Sequence, residues 1–368
     1  MVIPCFYLLD AALRPRKIHE DNSGRALGLL AVWAGALPLI HTHSFLALGL
    51  MSLGTMIYDL VHGDPKALIS RRSRLRILER YAVYGGIALA LALPQLICFT
   101  FAQALNGSAK HSFLTFQFNW VNNPSGRGMR DLYLWFYIKN IGLPFAALLL
   151  ALFEKNPRQR RIWAMMLPVI LAAELIRFQP NEYDNNKLFY LAWLMGCMIV
   201  SDWFGTVWRK LKGLRSRGVI AAAAAVVIFL SAGLTIWREC VSDYVSFSAE
   251  SVEAGEFARD ETPPDAVYLT GTQHLNPVLS IAGKTIVCGP DLWLYWHGFD
   301  TGERKEEIRA FYEDPEHHAD TLQKYGAAYI YVSSYERYSY DVDEEALRQE
   351  YEIVFENAEA TIYKVPEG

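Results

Sequence analysis

The sequence contains no CxxC pair, no zinc-type Cys/His spacing, no GxGxxG and no P-loop. Nothing in it therefore supports a thiol-redox, structural-zinc or nucleotide site. No Lys/Arg tract carries interleaved aromatics, which argues against a nucleic-acid surface. No Ser/His/Asp or Cys/His nucleophilic arrangement can be assembled by spacing. Cysteine itself is scarce, with five in 368 residues. Cys5, Cys98 and Cys197 lie in apolar runs and read as small core residues. Cys240 and Cys288 fall in a more polar part of the chain, where an oxidising compartment would allow a disulfide.

What the sequence has in quantity is apolar length. Hydrophobic residues make up 52 % and charged residues 20 %, but they are unevenly distributed. Up to about Trp237 long apolar runs alternate with short basic loops, and beyond it Asp and Glu are frequent. The net charge of −4 averages a basic half and an acidic half. A helix needs ~20 apolar residues to cross a bilayer core. Residues 81–105, 131–153, 162–178, 187–207 and 218–237 meet that length or nearly do. The longer apolar region 27–61 is interrupted at 41–44 and reads as a helical hairpin, 27–40 and 44–61, with a re-entrant first arm as the alternative. About seven spans result.

The loops set a direction. Residues 14–25, 66–80, 155–161 and 209–217 carry 19 Lys and Arg, while the alternate loops 41–44, 106–130 and 177–187 carry 5. The positive-inside rule places the first set in the cytoplasm. The loops 41–44, 106–130 and 177–187 then face outward, and so does everything after residue 238. The expected organisation is a polytopic plasma-membrane domain, 1–238, followed by an extracytoplasmic domain, 239–368. Residues 1–13 are apolar, too short to span and without a signal-peptide cleavage site; they read as the last turns of a membrane helix, or as an interfacial helix.

The second domain is roughly 125 residues, an ordinary size. Helices are expected at 246–259, 277–282, 304–312 and 320–325, and strands at 266–270, 285–288, 327–332, 351–355 and 361–365, the last two as a hairpin around Asn357. That alternation predicts a parallel or mixed α/β sheet covered by helices.

Four groups can carry chemistry. His41 and His43 sit two residues apart in an uncharged turn and can bind phosphate or metal, act as acid or base, or simply close the turn. The loop 177–187 packs Arg177, Glu182, Asp184, Asn185 and Lys187 into eleven residues. Its cations suit a phosphate, and Glu182 and Asp184 suit sugar hydroxyls or a divalent cation. Lys139 falls about two turns inside the 131–153 run by helix rise. An intramembrane lysine needs a partner or a phosphate, and Glu174 is the expected partner. The aromatics of 291–298 can stack on sugars or pack this domain against membrane helices.

Three stretches, 37–46 around His41 and His43, 176–188 around Asp184 and Lys187, and 276–283 followed by 293–298, resemble the C-terminal half of bacterial polytopic glycosyltransferase-like proteins of the GT-C architecture. The resemblance implies transfer of a sugar from a polyprenyl-phosphate carrier at the outer membrane face. It also implies catalytic acidic residues in a first large outer loop, which would precede the stretches seen here. An N-terminal half encoded upstream is therefore an expected partner, alongside the bilayer and the lipid-linked sugar. The rival reading is a non-catalytic transport or envelope-assembly component whose outer domain binds a partner.

Overall fold

The computed structural model describes residues 2–13, 23–62, 71–106, 113–123, 128–154, 156–179 and 181–366. The basic residues of 14–22 and 63–70, together with Lys155, on which part of the expected orientation rests, lie outside the described residues. The chain divides into two compact units, one of residues 1–106 and 110–240 and one of residues 241–368 with 107–109.

The first unit is helical. Its elements are α1 (Val2–Leu13), α2 (Ser23–Ala36), α3 (Thr42–His62), α4 (Arg71–Gln95), α5 (Ala102–Asn106), β1 (Thr115–Phe116), α6 (Tyr133–Ile141), α7 (Leu143–Ala151), α8 (Pro157–Leu175), β2 (Ile176–Arg177), α9 (Asn186–Lys210) and α10 (Arg217–Val241). Helices α1, α2, α3, α4, α8 and α9 share one core, in which Cys5, Leu9, Leu30, Met51, Met166 and Ile199 are fully buried. Close approach of α3 to α8 requires a glycine. A Cβ at Gly54 would lie 1.9 Å from the Ala164 carbonyl oxygen, far inside van der Waals distance. Among the described residues four segments are long and apolar enough to cross a membrane: Thr42–His62, Ser73–Leu105, Glu182–Lys210 and Arg217–Val241. None of the α10 residues is buried, so its apolar side chains are free to meet lipid.

The expected single helix over 131–153 is two helices of nine residues each, α6 and α7. Gly142 separates them with φ 77° and ψ −148°, a conformation open to glycine, and Pro144 in the first turn of α7 cannot continue the ladder of α6. The apolar composition of 131–153 conceals this break. The arms of the expected hairpin 27–40 and 44–61 are helical as anticipated, α2 being the shorter.

The second unit contains α11 (Ala249–Asp260), β3 (Val267–Leu269), α12 (Pro277–Ser280), β4 (Thr285–Ile286), α13 (Asp291–Trp296), α14 (Gly302–Glu313), α15 (Asp320–Tyr325), β5 (Ala327–Ser333), α16 (Ser334–Ser339), α17 (Glu344–Glu350), β6 (Glu352–Glu356) and β7 (Ala360–Lys364). Its sheet runs β4-β3-β5-β7-β6, with β4, β3 and β5 parallel and β7 and β6 antiparallel. It is the mixed sheet that the alternating pattern predicts. Asn357 forms the expected hairpin turn, its Oδ1 accepting from Glu359 N and Ala360 N. Glu336 is wholly buried, accepting from Gly271 N at 2.7 Å and Ser333 N at 2.9 Å, which ties α16 to the ends of β3 and β5. Cys240, in the first unit, is an exposed free thiol, and Cys288, in the second, is a buried one.

Candidate phosphate-facing site in the helical unit

Pro38 has no N–H to donate and ends α2 in a tight turn, with Ile40 N and His41 N both donating to the Leu37 carbonyl, at 2.9 and 2.7 Å. The chain reverses there and starts α3 at Thr42. His41 thus sits just before α3, and His43 in its first turn. His41 Nδ1 lies 2.7 Å from Ser44 Oγ, and the two imidazole centroids are 5.6 Å apart. His43 is buried, and its Nε2 has no hydrogen-bond partner among the described residues.

The second half of the site comes from a turn far later in the chain. Asn181 caps a short turn, Glu182–Asn185, that runs directly into α9. Asp184 Oδ1 and Lys187 Nζ pair at 2.8 Å. Lys187 and Asp184 lie within electrostatic reach of both imidazoles. Burial and then the Lys187 ammonium hold His41 below its ordinary 6.5, with Asp184 opposing them. His41 is therefore a neutral imidazole at pH 7, and the fixed cation of the cluster is Lys187. His43 and Lys187 also occupy the first turns of α3 and α9, whose backbone N–H groups carry partial positive charge. An ammonium, two imidazoles and two helix starts make a surface suited to an anion of phosphate type.

Of the residues singled out in the sequence, the structure brings together His41, His43, Asp184 and Lys187. It gives the others different surroundings. Glu182 accepts from Gln117 Nε2 at 3.3 Å. Asn185 is fully buried and braces the loop, donating to the Ala173 and Ile176 carbonyls and accepting from Phe178 N. Arg177 lies on β2 opposite Thr115 of β1, and its Nε is buried without a partner among the described residues. Among the described residues no three His, Cys, Asp or Glu side chains converge as metal ligands would.

Lys139 corrects the expectation drawn from its sequence position. It pairs with Asp131, not Glu174, and its side chain is 52 % exposed. α6 begins only at Tyr133, after an extended Leu132, so Asp131 lies off the helix and its carboxylate pairs with Lys139. Glu174 is instead buried and satisfied by neutral donors, Asn119 Nδ2 at 2.6 Å and Tyr137 OH at 2.5 Å. Half-exposed ion pairs contribute little. Lys139→Met should therefore lower thermal stability by less than about 1 kcal/mol, measured by unfolding in detergent. A larger decrease would mean that the lysine has a buried role.

Sequence reasoning missed the stretch 117–122. Gln117 N and Asn119 N donate to the Leu175 and Glu174 carbonyls, and buried Trp120 donates to the Ala173 carbonyl while its ring meets Tyr183 edge-on. These bonds fix the 177–187 loop from behind. The signal in the sequence is the alternation of Phe118 and Trp120 with Asn119 and Asn122, inside a loop whose few charges are otherwise its most visible feature.

No protein-family model and no curated protein matches the chain. Among solved structures it is similar to the oligosaccharyltransferase of Archaeoglobus fulgidus, crystallised with an acceptor peptide containing an NVT sequon tethered by a disulfide. The TM-score is 0.54 at 10 % identity, over 100 % of this chain and 55 % of the other. The chain thus spans about half the length of that enzyme, and its fold is GT-C-like.

Proposed function

We propose that this chain is a membrane glycosyltransferase-like protein, or the C-terminal part of one, that binds a polyprenyl-phosphate-linked sugar at the extracytoplasmic face. The observation that carries the reading is the convergence of His41 and His43 with Asp184 and Lys187 at the starts of two helices. The GT-C-like fold supports it, because the similar structure is an oligosaccharyltransferase. In this reading the Lys187 ammonium faces the lipid phosphate, the imidazoles donate to its oxygens, and Asp184 accepts from a sugar hydroxyl. Transfer breaks the bond from the anomeric carbon to the phosphate oxygen and forms one to the acceptor nucleophile, whose proton passes to a base. A cation beside the departing phosphate lowers that barrier by stabilising the charge that develops on it. The helices α1, α2, α6 with α7, and α8 accompany the four long spans in the membrane, and the 241–368 unit, which follows α10, is extracytoplasmic.

The direct test is binding and transfer of a polyprenyl-phosphate-linked hexose by the full chain in nanodiscs, alone and with any protein encoded beside it. Binding should be saturable and displaced by the sugar-free lipid phosphate. If no lipid-phosphate sugar binds under either condition, the non-enzymatic reading, a transport or assembly component, replaces this one. Orientation has its own check. Single cysteines placed at Asn123 and Ser333, in a background without native cysteines, should react with an impermeant maleimide in intact cells. Labelling only after lysis would reverse the assignment.

A further inference from the structure

A groove of about 610 Å³ runs between α8 and α9, lined at one end by Arg158, Gln159, Ser201 and Asp202 and at the other by Leu194 and Met198, among others. Asp202 lies sixteen residues after Asn186, about 24 Å along α9 from its start, so this groove is remote from Lys187. It is amphipathic along its length, as a bound lipid would require.

The polar end is specific in its chemistry. Gln159 is only 2 % exposed, and its Nε2 donates to Asp202 Oδ2 at 2.5 Å. Its Oε1 is buried and has no partner among the described residues. Asn156 Nδ2 donates to the same Asp202 oxygen at 3.1 Å, which leaves Oδ1 without a hydrogen bond among the described residues. Arg158 has no ion-pair partner among the described residues, and its backbone N–H is already used in capping by Asn156 Oδ1. Among the described residues the groove therefore presents three unused acceptors or acceptor positions, Gln159 Oε1, Asp202 Oδ1 and the Ser201 hydroxyl, beside one unused guanidinium.

We propose that this groove binds an aminophospholipid, with the phosphate at Arg158, the primary ammonium on Asp202 and Gln159 Oε1, and an acyl chain along Leu194 and Met198. A primary ammonium has three N–H donors to match those acceptors, whereas a trimethylated choline has none. A glycerol headgroup has no cation for Asp202. The guanidinium supplies a two-pronged contact to phosphate oxygens. The groove is independent of the sugar-binding reading, since it shares no residue with that site.

The test is native mass spectrometry of the full chain released from nanodiscs containing equal phosphatidylethanolamine, phosphatidylcholine and phosphatidylglycerol. Phosphatidylethanolamine should be retained roughly tenfold over the other two, the size expected for hydrogen bonds to a charged group. Asp202→Asn should erase the preference over phosphatidylcholine, and Arg158→Gln should lower retention of all three. Because Asp202 also holds Gln159, a third variant, Ser201→Leu, blocks the groove without altering that bond and should also remove bound lipid. Equal retention of the three lipids by the wild-type protein overturns the proposal. So does a wild-type preference that survives both Asp202→Asn and Ser201→Leu.

Discussion

Lys187→Met should weaken binding of a polyprenyl-phosphate-linked sugar by tens- to hundreds-fold, about 2–4 kcal/mol for a charge-assisted hydrogen bond lost from the bound complex. The effect is electrostatic. Lys187 is the fixed cation of its cluster, because burial and Lys187 itself hold His41 neutral at pH 7. Its side chain is 40 % exposed, so methionine fits without unfolding the protein. With the ammonium facing the phosphate as proposed, affinity for the sugar-free lipid phosphate should fall as far as affinity for the sugar-bearing one. Asp184→Asn should behave differently. It removes the negative charge 2.8 Å from the ammonium, replaces one carboxylate oxygen with an N–H donor, and leaves the cation in place. Affinity for the sugar-bearing lipid should fall while affinity for the bare lipid phosphate holds or rises. Titration of the two lipids against each variant in nanodiscs reads both effects. Wild-type binding in both variants would reduce the 177–187 loop to a connector and remove the site.

The second large effect is on stability. Arg161→Met should destabilise the helical unit by about 3–5 kcal/mol. Arg161 Nε and Nη2 donate to the two oxygens of Asp59 at 3.1 and 3.0 Å, and its Nη1 donates to Asp10 at 2.8 Å. Tyr81 OH also donates to Asp59 at 3.3 Å. The Asp59 side chain is only 3 % exposed, so removing the guanidinium leaves a buried carboxylate with the Tyr81 hydroxyl as its one donor among the described residues. The ion group clamps α1, α3 and α8 together, with Tyr81 of α4 alongside. A buried pair often contributes little beyond an apolar replacement, whereas half of one is costly. The double variant Arg161→Met with Asp59→Leu should therefore recover most of the stability. Thermal unfolding in detergent measures both. If the single variant melts with the wild-type protein, Asp59 is not dependent on this arginine, and the clamp is not what holds α1 in place.

Both effects come from residues whose identity is plain in the sequence and whose partners are not. Arg161 is one of four basic residues in 155–161, which by themselves speak only to the side of the membrane. Its carboxylate partners lie 102 and 151 residues earlier in the chain, beyond any local pattern. Lys139 shows the opposite failure. Its partner Asp131 is eight residues away, but the apolar run around it suggests one continuous helix. What that run hides is that the helix starts only at Tyr133, after an extended Leu132, which leaves Asp131 off the helix. Gly142 is visible in the sequence as a residue, but its left-handed backbone conformation is not.

The sequence alone determined the classes of element. Apolar length marked about seven candidate spans, of which four are long and apolar enough to cross a membrane among the described residues, because a helix in lipid must satisfy its own backbone groups over a fixed thickness. Alternating strand and helix patterns marked the mixed α/β sheet of 241–368, because each face must be buried by the next element. Spacing also made Asp184 and Lys187 neighbours, since three residues bring side chains together at the start of a helix. Only the tertiary structure decided that these two would come within electrostatic reach of His41 and His43, that Glu174 would be satisfied by Asn119 and Tyr137, and that Gln159 and Asp202 would line one groove. Those pairings depend on how α3, α8 and α9 pack against one another. Helix packing is fixed by the fit of whole surfaces, such as the seating of Gly54 on the Ala164 backbone, and that fit is not written in the local order of residues.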